Sequence, residues 1–209
     1  MSVKEISGGS ELSAARRETL LRQLDAIFVA EGYRRSTMAE LANRLRCSKR
    51  ALYQIASSKE ELFLIIVARE FDEIWQLGLA AERDTDLLPD RIHNYVAAAI
   101  VTCRRWTPLF LSDVEGLPQA HDLLESHLTE RMERLEKMVL EGIRKKVFRR
   151  INAKLVAELI HVSALRFCSP SFLEQSEIDL PSAIEQMCDL VWSGLLSPRE
   201  VLGRPKVKR

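Results

Sequence analysis

A chain of 209 residues that is 46% hydrophobic and 29% charged has the composition of an ordinary globular protein with one or two small domains. Because it has no apolar run of about eighteen residues, no membrane-spanning helix and no membrane partner are expected. The first ten residues lack the apolar run of a signal peptide, which predicts a cytoplasmic location. The four cysteines are scattered without a Cys-x-x-Cys pair, so no metal, disulfide framework or cofactor is expected.

The net charge of +1 is unevenly distributed along the chain. Residues 1–60 hold eleven Lys or Arg and seven Asp or Glu, a net charge of +4, which leaves −3 for the remainder. Six of these cations lie within residues 34–50, against one Glu. Such a local cluster is typical of a surface that faces DNA phosphates, although taken alone it could be a solvated helix face.

The first predicted helix follows a short N-terminal arm. Residues 1–13 contain Gly8-Gly9-Ser10 and are expected to be flexible. Ser13 can cap a helix over about residues 14–31, and Gly32 can end it. The apolar face of this helix, which is predicted to be core, consists of Leu20, Leu21, Leu24, Ile27 and Phe28.

Two short helices joined by a tight turn are predicted next. Thr37 and Glu40 form a capping box that opens one helix, and Ser48 can cap another over Lys49 to about Ile55. Ser58 begins a second capping box, which opens a long helix. Because the second short helix is rich in Ser, Lys, Arg and Tyr, the pair is typical of a helix-turn-helix.

Residues 17–64 resemble the N-terminal domain of the TetR family of bacterial transcription regulators. The shared segments are Phe28-Val29-Ala30-Glu31-Gly32-Tyr33, Ser36-Thr37-Met38, Leu41-Ala42, Cys47-Ser48-Lys49-Arg50-Ala51-Leu52-Tyr53 and Ser58-Lys59-Glu60-Glu61-Leu62. The chain departs from the family in the turn, where Arg46 replaces the usual Gly. It departs again at Gln54-Ile55-Ala56, where the family usually has two ring-bearing residues and Phe, one ring touching a phosphate. Ala51 stands where a Thr hydroxyl is common.

DNA contacts are predicted on the second short helix and at helix starts. Arg50 is predicted to read a base, because its guanidinium fork spans the two acceptors of guanine, and Lys49 to contact a base or a phosphate. Tyr53 and Lys59 are predicted phosphate contacts. The helix-start residues can offer N–H groups and hydroxyls to phosphate, or only cap their helices. The predicted DNA-binding residues are Thr37, Ser48, Lys49, Arg50, Ala51, Tyr53 and Lys59.

The rest of the chain is predicted to be a helical bundle. The predicted segments are helices at 59–81, 91–105, 119–146, 152–167 and 181–195, a short apolar piece at 109–111, and loops at 82–90 and 168–179. The chain is therefore predicted to be all-α and TetR-like, with about nine helices. Its predicted parts are a helix-turn-helix domain at 14–60, a ligand-binding and dimerisation domain at 61–196 and a basic tail at 197–209.

The resemblance also implies a homodimer and an effector. In the TetR family the last two long helices pair with those of a second subunit, which implies a dimer through about 152–167 and 181–195, although the apolar stripe alone permits packing within one chain. Relatives bind a small effector inside the second domain, and here few buried charges are evident, so an apolar or amphiphilic effector is predicted. The candidate lining residues, although side chains of these types are more often ordinary core, are Trp75, Trp106, Phe110, Met138, His161 and Phe167.

The leading hypothesis is a dimeric repressor that a small-molecule effector releases from a near-palindromic operator on double-stranded DNA. The alternative is a DNA-binding or architectural protein of the same fold, controlled by a protein partner or without an effector. A helical enzyme or lipid carrier is the third possibility. No enzyme is expected, because no nucleophile elbow, phosphate loop, dinucleotide fingerprint or H-E-x-x-H pattern occurs, and the four histidines are predicted to be surface or hydrogen-bonded residues.

Overall fold

The computed structural model describes residues 12–196, which form ten α-helices. They are α1 (Ala14–Glu31), α2 (Met38–Arg44), α3 (Lys49–Tyr53), α4 (Lys59–Arg83), α5 (Leu88–Cys103), α6 (Pro108–Glu115), α7 (Pro118–Arg144), α8 (Ala153–Phe167), α9 (Pro170–Gln175) and α10 (Leu180–Leu195). The all-α prediction is confirmed. Most of the predicted N-terminal arm and the whole basic tail lie outside the described residues. Within residues 12–196, every helix is too short or too polar to cross a bilayer.

The segment 168–179, predicted to be a loop, contains helix α9, which accounts for the tenth helix. Pro170 lies in the first turn of α9, where its fixed φ and missing N–H are compatible with a helix. The Ser169 hydroxyl donates to Glu115 Oε1 of α6 at 2.7 Å, and the Phe172 ring stacks on Phe167 of α8 with centres 5.3 Å apart. Because these contacts are tertiary, the local pattern did not predict the helix.

The predicted loop 82–90 is also wrong, since only residues 84–87 separate α4 from α5. Of the polar residues that suggested a loop, Glu82 is buried and belongs to an ion cluster. Glu82 is 6% exposed, and its carboxylate accepts from Arg91 Nη2 of α5 and from Arg134 Nε of α7, each at 2.6 Å. Arg91 also reaches Glu141 at 3.4 Å. Helix α4 therefore ends half a turn later than predicted, with Glu82 paired inside the bundle, and α5 begins three residues early.

One hydrophobic core joins the first three helices to the bundle. Phe63 of α4 stacks on Tyr33 with ring centres 4.4 Å apart, and it meets Phe28 of α1 and Phe110 of α6 edge-to-face at 5.9 and 5.8 Å. All four rings are buried. The core is therefore continuous across residue 60, the predicted domain boundary, and α4 packs against both parts of the chain. The division into domains at that residue stays a prediction.

A buried arginine fixes α4, α5 and α7 in the second core. Arg131 of α7 is 4% exposed, and its guanidinium lies 4.3 Å from the centre of the Tyr95 ring. It donates to the carbonyl oxygens of Tyr95 at 3.0 Å and Ile74 at 3.4 Å. The cation–π contact and the two carbonyl oxygens compensate for part of the lost hydration of this charge.

His127 of α7 makes stability depend on pH. Its ring stacks on Phe71 of α4 with centres 4.8 Å apart, and burial, followed by the charge of Arg131, lowers its pKa from 6.5 to about 3. The unfolded chain therefore takes up a proton near pH 6.5 that the folded chain excludes, so stability falls as the pH drops below that value. Between about pH 7.5 and about pH 5.5 we expect a loss of about 1.4 kcal/mol from this group.

Urea unfolding of the wild type and of His127→Phe at these two pH values tests the assignment. The phenylalanine can keep the stack without titrating, so the difference in stability between the two proteins should change by that amount. His93→Gln, which alters an exposed histidine, is the matched control and should keep the wild-type dependence. Equal pH dependence of His127→Phe and wild type would show that His127 titrates normally in the folded state.

Candidate DNA-binding surface

The predicted caps of the helix-turn-helix are present. At α2, Thr37 Oγ1 accepts from the Glu40 N–H at 3.3 Å, and Glu40 Oε2 accepts from the Thr37 N–H at 2.7 Å. Ser48 Oγ accepts from the Ala51 N–H at the start of α3 at 3.1 Å. Ser58 Oγ accepts from the Glu61 N–H at the start of α4 at 3.0 Å. Each cap joins two residues that are three positions apart in the chain. The local sequence therefore determines where these helices begin.

The turn between α2 and α3 keeps its left-handed residue although that residue is not glycine. Arg46 has φ 49°. Its neighbour Cys47 donates its N–H to the Ala42 carbonyl at 3.0 Å, and Arg16 Nη2 of α1 donates to the Arg46 carbonyl at 3.4 Å. The conformation costs about 1 kcal/mol for a residue with a Cβ, which the surrounding core can offset. The substitution therefore leaves the motif intact.

Hydrophobic packing holds one face of the motif and leaves the other exposed. Phe28, which is predicted to be core, packs in the same core as Leu41, Leu45 and Leu52, and all four are at most 4% exposed. Packing also accounts for the departure from the family at Gln54-Ile55-Ala56. Ile55 and Ala56 are 8% and 4% exposed and fill the core. An aromatic side chain at Ile55 or Ala56 could contact a phosphate only by leaving the core.

The exposed face of α3 carries uncompensated positive charge. Lys49 and Arg50 are exposed and form no ion pair with any residue between 12 and 196. Tyr53, one turn further along, is 52% exposed. By contrast Arg44 of α2 is neutralised by two contacts with Glu31, at 2.7 and 2.5 Å. Lys49 and Arg50 therefore present positive charge on α3 that is available to a polyanion, as do the exposed Arg35 and Arg46 nearby in the chain.

The other predicted DNA contacts lie around this face. Thr37 and Ser48 are exposed and cap their helices, and Ala51 is half-buried. Lys59 is half-buried at the start of α4, where its ammonium lies 5.2 Å from the centre of the Tyr33 ring and donates to the Arg34 carbonyl at 3.4 Å. These contacts fix the position of Lys59 more firmly than that of a free surface lysine.

The link between α5 and α6 joins the bundle to the helix-turn-helix, a feature that the sequence analysis missed. Arg105 Nη1 contacts Asp25 Oδ2 of α1 at 2.8 Å, and its Nη2 contacts Glu73 Oε2 of α4 at 2.6 Å and Glu70 Oε1. The neighbouring Trp106 Nε1 donates to Glu70 Oε2 at 2.5 Å. Burial, followed by the adjacent Asp25 carboxyl, raises the pKa of Glu70 from 4.5 to about 8. We call these five residues the junction cluster.

A second connection runs from α6 to the end of α1. Asp113 of α6 is 5% exposed, and its Oδ2 accepts from the Tyr33 N–H at 2.6 Å while its Oδ1 lies 3.4 Å from Arg34 Nε. Gly32 has φ 75°, and a Cβ added there would lie 2.6 Å from Asp113 Oδ2. The glycine is therefore required both by the backbone conformation and by this contact.

The residues predicted to line an effector site do not share one cavity. Phe110 and Met138 are buried in the two separate cores, and Trp106 belongs to the junction cluster. The remaining three are half-buried on α4 or α8 and are Trp75, His161 and Phe167. Two hollows adjoin α5 and α10, with volumes of about 880 and 340 Å³, and of the six predicted residues only Trp106 lines one of them, the larger.

One group of potential metal ligands occurs in the described part of the chain, at the start of α7. His121, Asp122 and Glu125 place one ligand atom each within 4.8 Å of one another. Both carboxylates are exposed, and the spacing is ordinary for one solvated face of a helix. We assign no metal to this group.

Comparison with known proteins identifies the exposed motif. Residues 20–66 match the model of the bacterial regulatory proteins of the tetR family. Residues 20–66 therefore form a DNA-binding domain of the tetR type. The HTH-type transcriptional activator FasR of Mycolicibacterium smegmatis is 42% identical over 59 residues, which are 28% of this chain and 27% of that protein. The chain thus aligns with about a quarter of the length of this curated relative.

Solved structures extend the likeness to the whole TetR-like fold. A transcriptional regulator from Saccharomonospora viridis, in complex with choline, has a TM-score of 0.73 at 13% identity, covering 88% of this chain and all of that one. The TetR-family regulator PfmR from Thermus thermophilus has a TM-score of 0.63 at 20% identity, and the match covers 85% of this chain and 99% of PfmR. SmeT, the repressor of the Stenotrophomonas maltophilia multidrug efflux pump SmeDEF, has a TM-score of 0.62 at 19% identity, and the match covers 87% of this chain and 91% of SmeT. At these identities the match concerns the fold alone.

Proposed function

We propose that this TetR-family protein is a homodimeric repressor that binds a near-palindromic DNA site and leaves it when a small molecule binds the bundle. The observation that carries the proposal is the exposed face of α3, where Lys49 and Arg50 have no ionic partner among residues 12–196. In helix-turn-helix proteins the first turn of the second helix reaches base edges in the major groove. Arg50 is the proposed base reader, with Lys49 beside it, and Tyr53 and Lys59 contact phosphates.

Helices α8 and α10 supply the proposed dimer interface. Leu155, Leu159 and Val162 are 53%, 58% and 58% exposed along one face of α8, and Leu190 of α10 is 78% exposed. The two helices border an open hollow of about 440 Å³ that contains Phe167. Large apolar side chains gathered on neighbouring helices are typical of an interface between copies of one chain. This surface coincides with the segments 152–167 and 181–195.

Replacing Leu159 by glutamate is expected to yield a monomer. The substitution would bury two carboxylates, one from each copy, in an apolar interface, which costs several kcal/mol. Light scattering coupled to size exclusion measures the mass, and binding to a palindrome and to its half-site should converge in the variant. Leu87→Glu is the matched control, because Leu87 is 65% exposed in the link before α5. A Leu159→Glu protein that stays dimeric would place the interface elsewhere.

The junction cluster provides a physical route from the bundle to the DNA-binding domain. It connects α5 to α1 and α4, and α4 begins immediately after the helix-turn-helix. A ligand that prefers a bundle conformation with a displaced α5 or α4 would shift the population away from the DNA-binding arrangement. The shift is limited to the ligand's difference in affinity between the two states.

Selection from a random-sequence DNA duplex library, at two salt concentrations, tests the proposed function. We expect enrichment of a near-palindrome whose half-sites lie about one helical turn, roughly 34–36 Å, apart, and an affinity that falls steeply with salt. Salt-sensitive binding without an enriched sequence would favour an architectural protein. Failure to bind any duplex would overturn the proposal. In vitro transcription from a promoter that contains the selected site then distinguishes repression from activation.

A further inference from the structure

Helices α5 and α10 form the walls of an elongated opening, which we call the α5–α10 cleft. Its larger hollow, about 880 Å³, lies among the end of α5, α6, α9 and the first turn of α10. Its smaller hollow, about 340 Å³, lies further along α5 and α10. Arg104 and Glu185 line both hollows and form an ion pair of 3.3 Å across the cleft. The pair therefore lies where the two hollows adjoin.

The lining of the cleft is apolar and carries an excess of negative charge. Five carboxylates line it against one arginine, Arg104, and one histidine, His93. The carboxylates belong to Glu174, Glu177, Asp179, Glu185 and Asp189. Asp189 forms no ion pair within residues 12–196 and lines the smaller hollow together with Trp192. A positive group close to an indole and a carboxylate is stabilised by both of them.

We propose that the α5–α10 cleft binds a cationic amphiphile, whose positive group lies at Glu185 and Asp189 and whose apolar body lies along α5. Ile100 and Val96 of α5 supply apolar surface for that body. An anionic amphiphile would meet only Arg104, which Glu185 already neutralises, and it would lie beside the other carboxylates. The negative charge of the lining therefore favours a positively charged ligand over a negatively charged one.

The cleft and the proposed dimer surface use mostly different residues of α10, with Val191 shared between them. Asp189 and Trp192 line the cleft, whereas Met187 and Leu190 line the hollow on the other side of α10, next to α8. A copy that covers α8 and the Leu190 side of α10 would leave the α5 side of α10 open.

The α5–α10 cleft lies next to the junction cluster in the chain, because Arg104 of the cleft precedes Arg105 of the cluster. The side chains of Arg104 and Glu185 are 67% and 50% exposed, so their ion pair is weak and a second cation can displace Arg104 from Glu185. Arg104 caps the end of α5, and the next residue, Arg105, contacts α1 and α4. A rearrangement of Arg104 is therefore one peptide bond from the contacts that hold the DNA-binding domain. This regulatory step rests on the proposed function, whereas ligand binding itself does not.

Binding of decyltrimethylammonium and decyl sulfate to the full chain, below their micellar concentrations, tests the proposal by calorimetry. We expect the protein to bind the cation and to bind the sulfate at least about tenfold more weakly. The double variant Glu185→Gln/Asp189→Asn should lose about tenfold in affinity for the cation at unchanged melting temperature. Glu133→Gln, an exposed carboxylate of α7, is the control and should bind like the wild type. Equal affinities for the two probes, or an unaffected double variant, would overturn the proposal.

Separate DNA-binding measurements distinguish the failure of the cleft assignment from the failure of the proposed function. Cation binding that leaves DNA affinity unchanged would confirm the cleft and contradict its regulatory step. Absence of DNA binding in the ligand-free protein would overturn the proposed function, and the calorimetric comparison would still decide the identity of the site.

Discussion

Replacing Arg105 by methionine is expected to lower the free energy of unfolding by about 2 kcal/mol near neutral pH. The variant leaves the carboxyls of Asp25, Glu70 and Glu73 without their common cation, and Glu70 is 1% exposed. Removing one partner of a fully buried ion pair costs about 3–5 kcal/mol. The expected loss here is smaller, because the Arg105 side chain is 38% exposed and solvent screens part of the interaction. Urea unfolding measures the effect.

The loss caused by Arg105→Met should increase with pH. The pKa of Glu70 is raised from 4.5 in the unfolded chain to about 8 in the fold, so folding binds a proton between these values and stability falls as the pH rises through that window. Without the guanidinium this pKa rises further. Glu70→Gln removes the titration and keeps an acceptor for the Trp106 N–H, so the double variant Arg105→Met/Glu70→Gln should recover most of the loss.

Arg104→Met is the matched control for Arg105→Met, because Arg104 is adjacent in sequence and its side chain is 67% exposed. Its effect on stability should stay within about 0.5 kcal/mol. Two results would contradict the assignment of the junction cluster: equal stabilities of the two single variants at about pH 6 and about pH 8, or no recovery in the double variant.

The DNA-binding half of the fold could be predicted because its determinants are local. The caps at Thr37, Ser48 and Ser58 each depend on residues three positions apart, and the buried face of α1 follows a simple helical period. The unbroken spacing of the motif then predicted the resemblance to the TetR family, and residues 20–66 match the model of that family. The departure in the turn is also local, since Arg46 adopts the left-handed conformation itself.

The junction cluster could not be predicted because its partners are distant in the chain. A signal was present in α4, where Glu70 interrupts an apolar stripe, four residues after Ile66 and three after Val67, and both of these neighbours are fully buried. A lone carboxylate in such a stripe requires a partner. Its partner, Arg105, is 35 residues further along, and only the tertiary fold shows which of the chain's many cations fills that role.

The prediction of effector-lining residues used size and aromaticity, which also favour the core. Phe110 is buried in the core that joins the first three helices to the bundle, and Trp106 donates its indole N–H to Glu70. The α5–α10 cleft is lined mainly by aliphatic residues and carboxylates, with the predicted Trp106 in its larger hollow and Trp192, which was not predicted, in its smaller one. Which helix faces are left open depends on how the helices pack, and a periodic stripe does not encode that arrangement.

Replacing Arg50 by alanine is expected to weaken binding to the selected DNA site by about 1–3 kcal/mol per half-site, a factor of roughly 5–150. The guanidinium can contact both acceptors of a guanine, and alanine leaves those acceptors unpaired. Preference at the contacted base pair should relax, whereas binding to unrelated duplexes should fall only slightly. Fluorescence anisotropy with the selected site and single-base variants of it measures both quantities. Because Arg50 is exposed without an ionic partner in the described structure, thermal stability should not change.

Two further variants separate base reading from general electrostatics. Lys49→Ala should weaken specific and unspecific binding alike if Lys49 contacts phosphate, and it should reduce the slope of log affinity against log salt by about 1 per half-site. Arg150→Ala removes an exposed cation between α7 and α8, remote in sequence from α3, and should change neither affinity nor slope. If Arg50→Ala resembled Arg150→Ala, base reading would have to be assigned to other residues. If it resembled Lys49→Ala, with all sequences weakened equally, Arg50 would be a phosphate contact and specificity would depend on another part of α3.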